Sequence, residues 1–146
     1  MPIIRARARA RARNGDNGRM NSFDHDKLDV YRASIEFVAL ADDIVEHLPR
    51  GRAYLAEQLQ RAATSISLNV AEGAGEFATK EKSRFYRIAK RSATECAAIL
   101  DVAKRLGLVE ATCYDEARRL LLRVVSMLVR MAQGTGTGTG TGTKGP

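Results

Sequence analysis

The chain has 146 residues, 28% of them charged and 5% aromatic, with a formal net charge of +7. One domain and one ordinary core fit that length, and the charge sits mostly at the ends. Residues 1–19 hold six arginines and one aspartate, and Lys144 adds another cation, so residues 20–133 carry only +1. On this count the basic character belongs to the tails rather than the body, which weakens the inference from high pI to nucleic-acid binding. Cys96 and Cys113 stand far apart with no second pair, which excludes a zinc-type spacing or a disulfide framework and points to a reduced compartment. No apolar run reaches the roughly 18 residues of a membrane span, and no signal-peptide core is visible, so the expected location is the cytoplasm.

Three segments are expected: a leader over 1–26, a helical body over 27–133 and a tail over 134–146. In the leader, arginine and alanine alternate from Arg5 to Arg13. Period two is wrong for an amphipathic helix and alanine gives a strand little to bury, so disorder is expected. An arginine arm of this kind could hold phosphates. Equally, translation could start at Met20, or the tract could be an organellar presequence, although its period argues against the latter.

The first helix is expected from about Lys27 to His47, burying Leu28, Tyr31, Ile35, Val38, Ile44, Val45 and Leu48. Asp42, Asp43 and Glu46 crowd its C-terminal end, where the helix dipole disfavours them, so each either meets a cation or stays solvated. Pro49-Arg-Gly51 breaks the chain. A second helix runs from about Arg52 to Ala74, with Leu55, Leu59, Ala62, Ile66 and Val70 along one face and Gln58, Arg61, Ser65, Asn69 and Glu72 beside it. Gly73 and Gly75 are expected to end it in left-handed conformations.

Thr79 is placed as the N-cap of a third helix over about 80–106, with Phe85, Ile88, Ser92, Cys96, Ile99, Ala103 and Leu106 at heptad spacing and Leu106-Gly107 as its stop. Thr112-Cys-Tyr-Asp115 resembles a capping box for a fourth helix, which buries Ala117, Leu120, Leu121, Val124, Leu128 and Met131. From Gly134, five Gly-Thr pairs lead to Thr143 and contribute no core. The expected fold is all-α: an antiparallel up-down-up-down four-helix bundle between disordered tails.

Catalytic groups are scarce. His25 and His47 are the only histidines, there is no Glu-x-x-His for a di-iron centre, and no serine has an evident base. The chain therefore reads as a non-enzyme with no cofactor, no metal and no small-molecule substrate. The Arg61, Ser65, Asn69 and Glu72 group is expected to be a structural polar network, with Arg91 or Glu95 as partners, rather than a ligand site. Lys80, Arg84, Arg87 and Arg91 form a basic row on the third helix, and Arg119, Arg123 and Arg130 form one on the fourth. Shown once, such rows are solvated faces; repeated around an assembly, they could hold phosphates. With few stacking aromatics, any such binding would read charge and shape rather than base sequence.

The run Gln58-Leu-Gln-Arg-Ala-Ala-Thr-Ser-Ile-Ser-Leu-Asn-Val-Ala-Glu-Gly73 resembles the signature of the 23S rRNA intervening-sequence proteins, a family of small four-helix bundles. The likeness continues through Thr79-Lys-Glu-Lys-Ser-Arg-Phe-Tyr-Arg-Ile-Ala89, Ser92, Glu95 and Leu106-Gly-Leu, covering roughly residues 28 to 131. Ser67, Glu76 and Arg91 stand where the family commonly has proline, a basic residue and glycine. The resemblance implies a homopentameric ring, and through a similar bundle that acts with a reverse transcriptase, an association with nucleic acid. Two functions are then expected as alternatives. One is a non-catalytic homo-oligomeric scaffold binding structured RNA or other nucleic acid through Arg84, Arg87, Arg91, Arg119 and Arg123. The other is a protein–protein adaptor for a nucleic-acid enzyme, without nucleic-acid affinity of its own.

Overall fold

A computed structural model describes residues 21–134; the alternating Arg-Ala run and the chain from Thr135 onward lie outside them, and Gly134, expected to open the tail, is the last residue of the fourth helix. Four helices follow in order: α1 (Asp29–Glu46), α2 (Ala53–Gly75), α3 (Thr79–Arg105) and α4 (Ala111–Gly134). Short loops force consecutive helices to run antiparallel, and the cross-helix bonds agree. Ser65 meets Ser92 and Lys82 meets Gly73 across α2–α3, while Tyr114 meets Asp101 and Ser83 meets Ala132 across α3–α4. The helices close a square in which α1 packs on α2 and α4, and α3 packs on the same two.

The core is apolar and thin. Phe37, Leu59, Ile66, Leu100, Leu121 and Leu128 supply its bulk, and Ala62, Ala63, Ala89, Ala93 and Ala117 let the helices approach. The expected faces of α2 and α4 are buried, except that Leu120 and Met131 lie at the core margin. On α1 the expected face is rotated. The core takes Val30, Ala33, Ser34, Phe37, Ala41 and Ile44, whereas Ile35 is 44% exposed. Leu28, Tyr31, Val38, Val45 and Leu48 pack only against its edge. The cause is that small residues mark the true interior: Ala33, Ala41 and Ser34 give a close approach to α2, with Ser67 donating to Ser34 Oγ at 3.1 Å. On α3 the interior likewise takes Tyr86, Ala89, Ala93 and Leu100, and Leu106 is 44% exposed.

The helix ends depart from expectation in three places. Gly73 and Gly75 are not left-handed; among the described residues, positive φ occurs at Gly51 and Gly107. Gly73 is instead buried within α2, where a Cβ would lie 2.6 Å from Tyr86 Cε1. Close packing of α3, not turn geometry, requires that glycine. The open end of α2 is closed by Lys82, whose Nζ donates to the Gly73 and Ala74 carbonyls at 2.9 and 3.2 Å. A cation on the last carbonyls satisfies orphan acceptors and opposes the dipole.

Thr79 is the first residue of α3, not its cap. Ala78 holds the cap position without a side-chain bond. Thr112 also lies one residue inside α4, which begins at Ala111 with the Tyr114 amide bonded to the Glu110 carbonyl, so the capping-box register is not the one adopted. The end of α3 is as expected. Gly107 takes φ +70, its amide reaches the Lys104 carbonyl, and Leu108 reaches Ala103, the paired bonds of a Schellman motif.

Candidate nucleic-acid interface

The square arrangement separates charge. α1 carries five carboxylates and one arginine, and α2 carries two and one, a net −5 for that half. α3 carries eight lysines and arginines against three carboxylates, and α4 four against two, a net +7. The near-zero charge of the whole body therefore hides two opposed faces. A count over the chain cannot see this, because it depends on which helices become neighbours.

On α3, Lys80, Arg84, Arg87 and Arg91 are all exposed. Their offsets of four, seven and eleven keep them on one side over about 16 Å of helix. Arg84 is held: its guanidinium meets Glu81 Oε2 at 3.1 Å and lies 4.9 Å from the Phe85 ring centre. Arg87 and Arg91 are in no ion pair among the described residues. Arg119, Arg123 and Arg130 on α4 are exposed and equally without an ion pair there. The register that sets Ser83 beside Ala132 and Asp101 beside Tyr114 brings Arg91 level with Arg123, and Arg84 level with Arg130. The two basic rows therefore span the same height of the bundle on neighbouring helices.

A third basic element on this half is committed elsewhere. Arg118 lies 3.7 Å from Asp101, whose carboxylate also accepts the Tyr114 hydroxyl. That bond, the first of several contributions, raises the Tyr114 phenol above its ordinary range. Lys104 sits 4.2 Å from the centre of the same ring. This cluster ties the far end of α3 to α4.

The polar group on α2 is smaller than expected. Ser65 Oγ and Ser92 Oγ share a hydrogen bond at 2.8 Å, and Asn69 Nδ2 donates to the Ser65 carbonyl and hydroxyl at 2.8 and 3.1 Å. Arg61 and Glu72 lie outside it, both exposed, and its partner on α3 is Ser92 rather than Arg91 or Glu95. Short side chains explain this: at a seam this close, a hydroxyl fits and a guanidinium does not. Among the described residues no buried side-chain nitrogen or oxygen lacks a partner, as close packing demands.

Other chemistry has little to work with. Among the described residues no group of three or more His, Cys, Asp or Glu side chains could hold a metal ion. Cys96 is buried, and its thiol is pushed up to about 12 by burial and by Glu95. Burial and the carboxylates of Glu116, Glu110 and Asp43 raise Cys113 as well. Neither is an activated nucleophile at neutral pH. Asp42, Asp43 and Glu46 meet no cation within the described residues. No described helix is long and apolar enough to cross a membrane.

Fold and site together define a small antiparallel helical bundle with a charge-divided surface. The chain belongs to the 23S rRNA-intervening sequence protein family, whose pattern matches residues 26–130. It is also similar to a solved protein of unknown function from the S23 ribosomal protein family of Bacteroides thetaiotaomicron VPI-5482. That similarity has a TM-score of 0.67 at 19% identity, covering 71% of this chain and 98% of the other. At such identity the match speaks for the fold. No curated protein matches the chain.

Proposed function

We propose that the protein is a non-catalytic homo-oligomeric scaffold, a five-membered ring by family resemblance, that holds structured RNA or other nucleic acid on its α3–α4 half. The observation that carries this reading is the division of charge, +7 on that half against −5 on the other. Arg87 and Arg91, free of carboxylates, are the centre of the surface, with Arg84 beside them and Arg119 and Arg123 on the adjoining helix. Repetition around a ring would sum these rows into a field that retains phosphates. Long, unpaired guanidinium groups suit phosphate oxygens in any sequence, so recognition by charge and backbone shape is expected.

The second reading is an adaptor for a nucleic-acid enzyme, working in the cytoplasm through protein contacts. It is favoured by apolar side chains left open on the opposite half, Ile35 at 44% and Leu68 at 61% exposure. Filter binding of a structured RNA to the full chain, at low and near-physiological salt, separates the two. A steep loss of affinity with salt supports the scaffold, and the absence of binding at low salt rejects it.

A further inference from the structure

The −5 half is not uniformly acidic. Between α1 and α2 runs an open groove of about 500 Å³, lined by Ile35, Val38, Ala39 and Thr64, with Asp42 in its wall. A second recess of about 440 Å³ on the other side of α2 shares Gln60 and Thr64 with it and takes in Leu68. The second recess also takes in Arg61, Ser65 and Asn69 and is lined mostly by polar residues, so the apolar strip is the α1–α2 groove itself, with Asp42 the carboxylate in its wall. Within the described chain nothing covers it.

The opposite half carries the matching shape and charge. Leu122 on α4 is 57% exposed. Arg119 lies three residues before it and Arg123 follows it, so an apolar knob stands among guanidinium groups. A leucine there has no core to fill and interrupts a basic row that solvation alone would favour.

We infer that this α1–α2 groove receives Leu122 of a second copy of the chain, with Arg119 and Arg123 of that copy meeting Asp42 in its wall. The inference rests on the assembly part of the proposed function. Complementarity carries it: one copy presents both an apolar groove with a carboxylate in its wall and an apolar knob among guanidinium groups, on opposite sides of the square. Because the two surfaces differ, the contact is head-to-tail, the kind that closes into a ring when the rotation allows. The five arginines then divide their work. Arg119 and Arg123 face the neighbouring subunit, while Arg84, Arg87 and Arg91 remain for phosphate.

The test uses the full chain and reads mass in solution. Ile35→Glu breaks the groove and Leu122→Glu breaks the knob; both positions are exposed, so the fold is expected to survive, with circular dichroism as the check. Thr64→Glu, in the groove wall, and Ser126→Glu, exposed one helical turn after Leu122, serve as second variants on each surface. Wild type is expected to assemble and each variant to run as a single chain. Mixed one to one, the two variants should form a heterodimer through the one intact contact, and go no further because the other contact sets Glu against Glu. A wild-type single chain would defeat the assembly reading itself and leave the groove to another basic partner. Assembled wild type with all four variants still assembled would overturn these surfaces and leave assembly standing. Variants that are single chains but do not pair when mixed would overturn the head-to-tail geometry.

Discussion

α3 shows two surfaces made by opposite means. Toward α2 it is small and closed: Ser92 bonds to Ser65, Ala89 and Ala93 are fully buried, and Tyr86 lies over Gly73. Toward solvent it is long and open, with Arg87 and Arg91 free of carboxylates. The closed face gets its energy from contact distance, so adding one methyl should be felt there. The open face adds almost nothing to folding, so even reversed charges should leave stability intact while changing what binds. A single helix thereby separates what holds the bundle together from what it presents.

Substitutions can sharpen that contrast. Phe37→Ala empties the centre of the core, where the ring is fully buried; it should cost about 3–5 kcal/mol by urea denaturation. Gly73→Ala drives a Cβ to 2.6 Å from the Tyr86 ring. It should cost about 1–3 kcal/mol. Gly75→Ala, with open space around it and no positive φ, should instead stabilise by about 0.4–1 kcal/mol. Equal effects at the two glycines would refute the close-approach account of Gly73.

At the polar seam, Asn69→Ala removes two hydrogen bonds to Ser65 and should cost about 1 kcal/mol. Glu72→Ala, exposed and outside the network, should stay within about 0.5 kcal/mol. The thiols act only toward alkaline pH. Native protein treated with a thiol reagent at pH 8 should label Cys113 before Cys96, whose thiol is pushed up to about 12. Since the unfolded thiol ionises near 9, the unfolded state binds fewer protons between these values. Stability should therefore fall as pH rises from about 9 to 12, and Cys96→Ala should flatten that fall.

Much of the fold is legible in the sequence, because the apolar periods of α2 and α4 and the Leu106-Gly107 stop are local signals. Where the reading misses, the deciding partner is distant in sequence. Apolar content lies on more than one side of α1, so which side is interior depends on Ser67 of α2 meeting Ser34. Gly73 resembles a helix terminator until Tyr86 is placed against it. Lys82 looks like one more exposed cation until it reaches back to the end of α2. The basic row on α3 is visible as spacing, but its alignment with the α4 row and the acidic opposite half require the square. Exposed Leu122 is hidden inside Leu120-Leu-Leu122, where periodicity does not say which leucine is left out.

The central claim is that the α3 row holds nucleic acid, and the most direct test is the salt dependence of RNA binding by the full chain and by Arg84→Glu/Arg87→Glu. The account predicts that the variant keeps its melting temperature and solution mass, binds at least tenfold more weakly, and has a shallower log–log salt slope, by about two. Undiminished affinity with the same slope would contradict it and move any binding to another part of the chain.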